Sequence, residues 1–231
     1  MGKTPEQLIT NYVSHAERSD RAFETARSSR DSELLAFNLQ QSFKARLMQG
    51  LLRWRLGIGS PAPALLESVE TINEGLTVLE SAGTKGKISS VNVERAWIVG
   101  CLLDATVASF DESNLKADRL LDAILAKRLL GLRAGLWDTG MEQLKALEGT
   151  ELAVETYSMY FRLLGSSKTD FAPLAISASK LFEKRAKDAF YAGGDPTEGG
   201  GMYNKITLDY RLAAILKKMG FIFDGIHQWR G

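Results

Sequence analysis

Cysteine is nearly absent from this chain. Cys101 stands alone, so no internal disulfide can form, and such usage is that of a reducing compartment. Histidine is almost as scarce. His15 and His227 lie at opposite ends of the sequence, with no His-x-x-x-His or Glu-x-x-His spacing, which removes the common zinc and di-iron ligand patterns. Neither sign of charge is in excess: 29 lysines and arginines against 28 acids leave a net charge of +1. That excludes the strongly basic footprint of a nucleic-acid binder. No run of about 18 uncharged apolar residues occurs, so no membrane span is expected. The opening segment, Met1 to Glu6, lacks the apolar core of a secretion signal. These absences predict a soluble, cytoplasmic protein with no cofactor, no metal, no nucleic acid and no membrane among its partners.

What remains is an ordinary globular composition, 45% hydrophobic and 25% charged over 231 residues, enough to bury a substantial core. Apolar residues recur three and four apart almost throughout, the period of a helix buried on one side. The expected fold is all-α: about nine helices as antiparallel hairpins, in a bundle or a short stack resembling an α-solenoid. Thr4-Pro5-Glu6-Gln7 reads as a capping box opening a helix to about Ser28. A second runs from Asp31 or Ser32 to Leu56, a third from Ala62 to Ala82, and a central, very apolar fourth from Val91 to Phe110. Asn114 can cap a fifth that ends near Leu130. A short sixth is expected from Thr139 to Leu147, a seventh from Thr150 to Leu164, an eighth from Ala172 to Phe190, and a ninth from Lys205 to Met219. The tail from Phe221 to Trp229 is too apolar to hang free, and a short strand there is compatible with its composition. A single domain, 1–231, is the reading, with a subdivision near 165–170 as the alternative.

The tryptophans Trp54 and Trp97 lie 43 residues apart, and Trp137 follows 40 later. A tetratricopeptide array needs a period near 34 and two residues between Trp and Leu-Gly, which this chain does not have. The spacing is read as core anchoring.

Catalytic signatures are lacking. Cys101 sits mid-helix in the most apolar segment, away from any cation that would lower its pKa, and is expected to be an inert core residue. No Gly-x-Ser-x-Gly elbow occurs. Gly83-Thr84-Lys85-Gly86-Lys87 lacks the Gly-Lys-Ser/Thr ending of a phosphate loop and follows a helix, so it reads as a turn. Asp118 and Asp122 are four apart and could share a cation, but Lys116 and Arg119 beside them make solvated charge the expectation.

Two features stand out. From Leu34 to Leu66 there is no acid, while Lys44, Arg46, Arg53 and Arg55 are basic. From Ala62 to Ala82 the reverse holds: Glu67, Glu70, Glu74 and Glu80, and no base. Glu67, Glu70 and Glu74 stack opposite the Leu65-to-Leu76 stripe, where like charges repel by a few tenths of a kcal/mol per pair. Such a ridge is either neutralised by a neighbouring helix or left open to a basic partner. The second feature is the glycine-rich loop 191–203, with Gly193, Gly194, Asp195, Gly199, Gly200, Gly201 and Tyr203, which feeds the last helix.

The functional expectation is a non-enzymatic protein-binding molecule, an adaptor or an immunity-type partner, working through charged helix faces that include Glu67, Glu70, Glu74, Arg46 and Arg53. Another protein, or a second copy of the chain, is the expected partner. The alternative is a small-molecule binder or enzyme with a pocket between helices, gated by the loop 191–203. Gly193, Gly194, Asp195, Gly200, Tyr203 and Arg211 would form that ligand loop, and Tyr157, Tyr160, Arg162, Asp209 and Tyr210 could add polar groups. Asp209 and Arg211 stand two apart, which on a helix would turn them away from a common wall.

Overall fold

The computed structural model describes residues 4–83, 90–107, 120–132, 151–167, 169–191 and 209–220. Among them every regular element is a helix, eight in all. The short helix expected from Thr139 to Leu147, the cap at Asn114 and the tail from Phe221 lie outside the described residues. No helix among the described residues is long and apolar enough to cross a membrane. Contacts within the chain cluster into two units.

The first unit opens where the capping residues dictate. Gln7 donates its backbone N–H to Thr4 Oγ1 at 3.3 Å, and Gln7 Oε1 accepts the Thr4 N–H at 2.9 Å, closing the reciprocal cap that starts α1, Pro5–Ser29. Arg30 turns the chain in the left-handed region, φ 57°. Asp31 then caps α2, Ser32–Leu56, by accepting the N–H groups of Glu33 and Leu34, each at 3.1 Å. Two residues therefore suffice to reverse the direction. Gly57, φ 67°, ends α2. The next helix, α3, Ala62–Ser81, follows Pro61 at the cap position, with no side-chain hydrogen bond closing its first turn.

Packing between α2 and α3 depends on two glycines. A Cβ at Gly50 would stand 2.5 Å from Leu65 Cγ, and one at Gly75 would stand closer still to Leu39. Each leucine of one helix thus fills the space left by a glycine of the other, in antiparallel register. The expected stripe of α3 is buried: Leu65, Val69, Ile72, Leu76 and Leu79.

The fourth helix, α4, Ser90–Leu103, stops short of the expected Phe110. Asp104 takes φ 57°, the Ala105 N–H returns to the Gly100 carbonyl at 2.9 Å, and Val107 folds back onto Gly100. This six-to-one closure terminates the helix. Asn73 on α3 fastens the turn by donating to the Thr106 carbonyl at 2.9 Å. Cys101, expected in the core, is partly exposed in the last turn.

The second unit holds α5, Leu120–Leu129, α6, Glu151–Leu164, α7, Phe171–Tyr191, and α8, Tyr210–Lys218. α8 starts later than the expected Lys205, because the Asp209 side chain accepts the Leu212 N–H at 3.1 Å and defines the first turn there. Tyr210 to Leu216 are buried in an unbroken run, which makes α8 an interior helix of its unit. Tyr157, Tyr160, Phe161 and Leu163 of α6 are also buried.

Candidate functional site

The basic residues of α2 do not act as one patch. Arg46, its side chain 18% exposed, is held between two helices. Its Nη2 meets Asp20 Oδ2 of α1 at 2.7 Å, and its Nε lies 3.4 Å from Glu67 Oε2 of α3. Ser42, one turn earlier, donates to Asp20 Oδ1 at 2.5 Å and also contacts Arg46. Arg53 serves a different purpose: its Nη1 donates to the Ile58 carbonyl at 3.4 Å, bracing the turn after α2. Arg55 is exposed and Lys44 half-buried.

The titration of this cluster follows from its geometry. Burial alone would raise the Asp20 carboxyl, but the hydrogen bonds from Arg46 and Ser42 and the Arg46 charge together hold it below its ordinary value. Burial likewise acts to lower Arg46, and Asp20 and Glu67 together outweigh it, raising the guanidinium above its usual range.

Of the three stacked glutamates, Arg46 engages only Glu67, and that pair is open to solvent on the acid side, 57% exposed. Glu70 and Glu74 are exposed, and no ion pair among the described residues reaches either. Leu66 lies beside them, 41% exposed. The acidic ridge is therefore partly neutralised at one end and uncovered along the rest, with an apolar side chain at its margin.

The second unit encloses a different cluster. Arg211, wholly buried, donates from Nε to Asp122 Oδ1 and from Nη2 to Asp122 Oδ2, each at 2.7 Å. This two-pronged geometry is the strongest that arginine and a carboxylate make. Tyr157 donates its hydroxyl to the same carboxylate. Tyr160 donates to Asp209 Oδ2 at 2.6 Å. The Arg211 guanidinium lies 4.8 Å from the Tyr210 ring centre and 5.8 Å from that of Tyr157, and the rings of Tyr157 and Tyr160 meet edge to face at 5.3 Å. Residues from α5, α6 and α8 are thus joined by polar groups inside an apolar shell.

Asp122, expected to be solvated, is buried and paired, because its helix turns it toward α8 and not outward. Asp118 lies outside the described residues. Asp209 and Arg211 both join the same buried cluster despite their spacing of two, Asp209 through Tyr160 of α6 and Arg211 through Asp122 of α5. Asp209 is the cap, at φ −74° and ψ 83°, so the 100° helical step does not apply between them. Arg162 is exposed and takes no part in these contacts. Gly193, Gly194, Asp195, Gly200 and Tyr203 lie outside the described residues. No group of three or more metal-ligating side chains occurs among the described residues.

Asp122 carried a signal in the sequence: a lone acid inside the apolar run Leu120 to Leu125, where burial demands a partner. Asp20 carried none, since Arg18 and Arg21 beside it look like ordinary surface charge. Compared with protein-family models, with curated proteins and with solved structures, the chain matches none.

Proposed function

We propose that this protein is a non-enzymatic binding molecule that offers the outer face of α3 to a basic protein surface. The observation that carries this reading is the exposed pair Glu70 and Glu74, which no cation among the described residues engages, set beside the exposed Leu66. An apolar contact flanked by charges of one sign supports affinity and steering together, and the sign selects the partner. An adaptor or immunity-type role suits such a face, by analogy of architecture alone. The test is a capture experiment with purified protein, followed by reconstitution with the purified partner. Wild type is expected to hold a stoichiometric basic partner, with affinity that falls as salt rises. The double variant Glu70→Lys, Glu74→Lys is expected to weaken binding at least tenfold with unchanged helicity. Equal binding by the variant would overturn the reading. Glu67 is left intact in this design because it also pairs with Arg46.

The concentration of buried polar groups in the second unit favours a second reading, a small-molecule site between its helices. Against it, Tyr157, Tyr160, Asp209 and Arg211 direct polar atoms to one another or to Asp122. A thermal-shift screen against metabolites tests this reading. A ligand whose stabilisation disappears in Tyr160→Phe would support it.

A further inference from the structure

The outward face of α2 changes character halfway along. At about 100° per residue, Glu33, Leu34, Phe37, Gln41 and Lys44 fall within about 100° of arc. The same arc continues through Met48, Leu51 and Leu52, which are buried. In the first half the apolar side chains are uncovered: Leu34 is 49% and Phe37 55% exposed. Leu34 and Phe37, three apart on one helix face, make a contiguous exposed apolar patch rimmed by polar residues, the arrangement of an interaction surface. The open stretch begins with an acid and ends with a base, about 17 Å apart along the axis.

We propose that this stretch of α2 pairs with the same stretch of a second copy, antiparallel about a two-fold axis near Asn38 and Leu39. The sign order makes the face complementary to itself. In that register Glu33 of each copy faces Lys44 of the other, Phe37 faces Gln40 and Gln41, and the two Phe37 rings come within one helical turn. A two-fold contact of this kind closes on itself and needs only one patch. Glu33 and Lys44 also make contacts within their own chain. A carboxylate and an ammonium each have capacity for further partners. One short helix face covers less than the roughly 800 Å² per partner of a standard interface, so the dimer is weak and concentration-dependent.

Sedimentation equilibrium from low to high micromolar concentration tests this proposal. Wild type is expected to pass from monomer to dimer over that range. Phe37→Glu is expected to remain monomeric with an unchanged circular dichroism spectrum. Glu33→Lys and Lys44→Glu, taken singly, each replace two attractive pairs by two repulsive ones and are expected to weaken association about tenfold. The two substitutions together restore the complementarity and are expected to recover most of it. A wild type that stays monomeric overturns the proposal. So does a dimer indifferent to Phe37→Glu, or a double exchange no better than the worse single one.

Discussion

Asp20 shows how one side chain can couple folding to pH. Its carboxyl is held below its ordinary value in the folded protein, so its contribution is fully present above the unfolded carboxylate range. The contribution is lost as pH falls through the lowered folded value. Because the group is 43% exposed, screening limits the effect, and Asp20→Asn is expected to cost about 1 kcal/mol near neutrality. Urea unfolding at neutral and acidic pH should show the variant and wild type converging as pH falls. Asp122 presents the opposite regime. It is buried, and its removal leaves the Arg211 charge inside the protein without its carboxylate. Asp122→Asn is therefore expected to cost about 3–5 kcal/mol. Tyr157→Phe, which removes one hydrogen bond to that carboxylate, should cost only about 1 kcal/mol. Replacing both partners, with Asp122→Leu and Arg211→Met, is expected to recover much of the loss by urea unfolding, because two desolvated charges are removed together.

Among the elements, α2 and α3 are held close by small residues that helix propensity alone would reject. Exchanging Gly75 for Ala would raise intrinsic helix stability by about 1 kcal/mol. The new methyl, however, enters space occupied by Leu39, which is itself buried. Overpacking of this kind costs about 1–3 kcal/mol, so Gly75→Ala is expected to lower the melting temperature despite the better propensity. An increase would show that the two helices can separate without cost. The early stop of α4 is another effect of packing. Its apolar pattern runs on toward Phe110, yet the chain turns at Asp104, because Val107 and the Ala105 carbonyl close over Gly100, where a larger residue would obstruct them.

Across the whole molecule, burial is uneven, and amide exchange should follow it. The slowest amides are expected in the second half of α2, covered on nearly every side, and in the buried run of α8. The first turn of α1 and the outer face of α3 should exchange sooner. Hydrogen exchange read by mass spectrometry checks this order, and fast exchange throughout α8 would contradict it.

Legible in the residues alone were the helical class, the cap at Thr4, the break between the first two helices, the end of α2 before Gly57 and the buried stripe of α3. Those are local properties: periodicity, capping chemistry and glycine's tolerance of positive φ act within a few residues. The sequence also isolated the acidic run of α3 and the basic run of α2, but not how the two would meet. Tertiary packing decided the pairings: Arg46 is shared between Asp20 and Glu67, while Arg53 braces its own turn and Glu70 and Glu74 stay uncovered. It likewise decided that Asp122 is paired with Arg211, a residue 89 positions away. The physical reason is common to both cases. A charge's partner depends on which helix lies across from it, and that is set by packing of whole faces, to which residues far apart in the chain contribute.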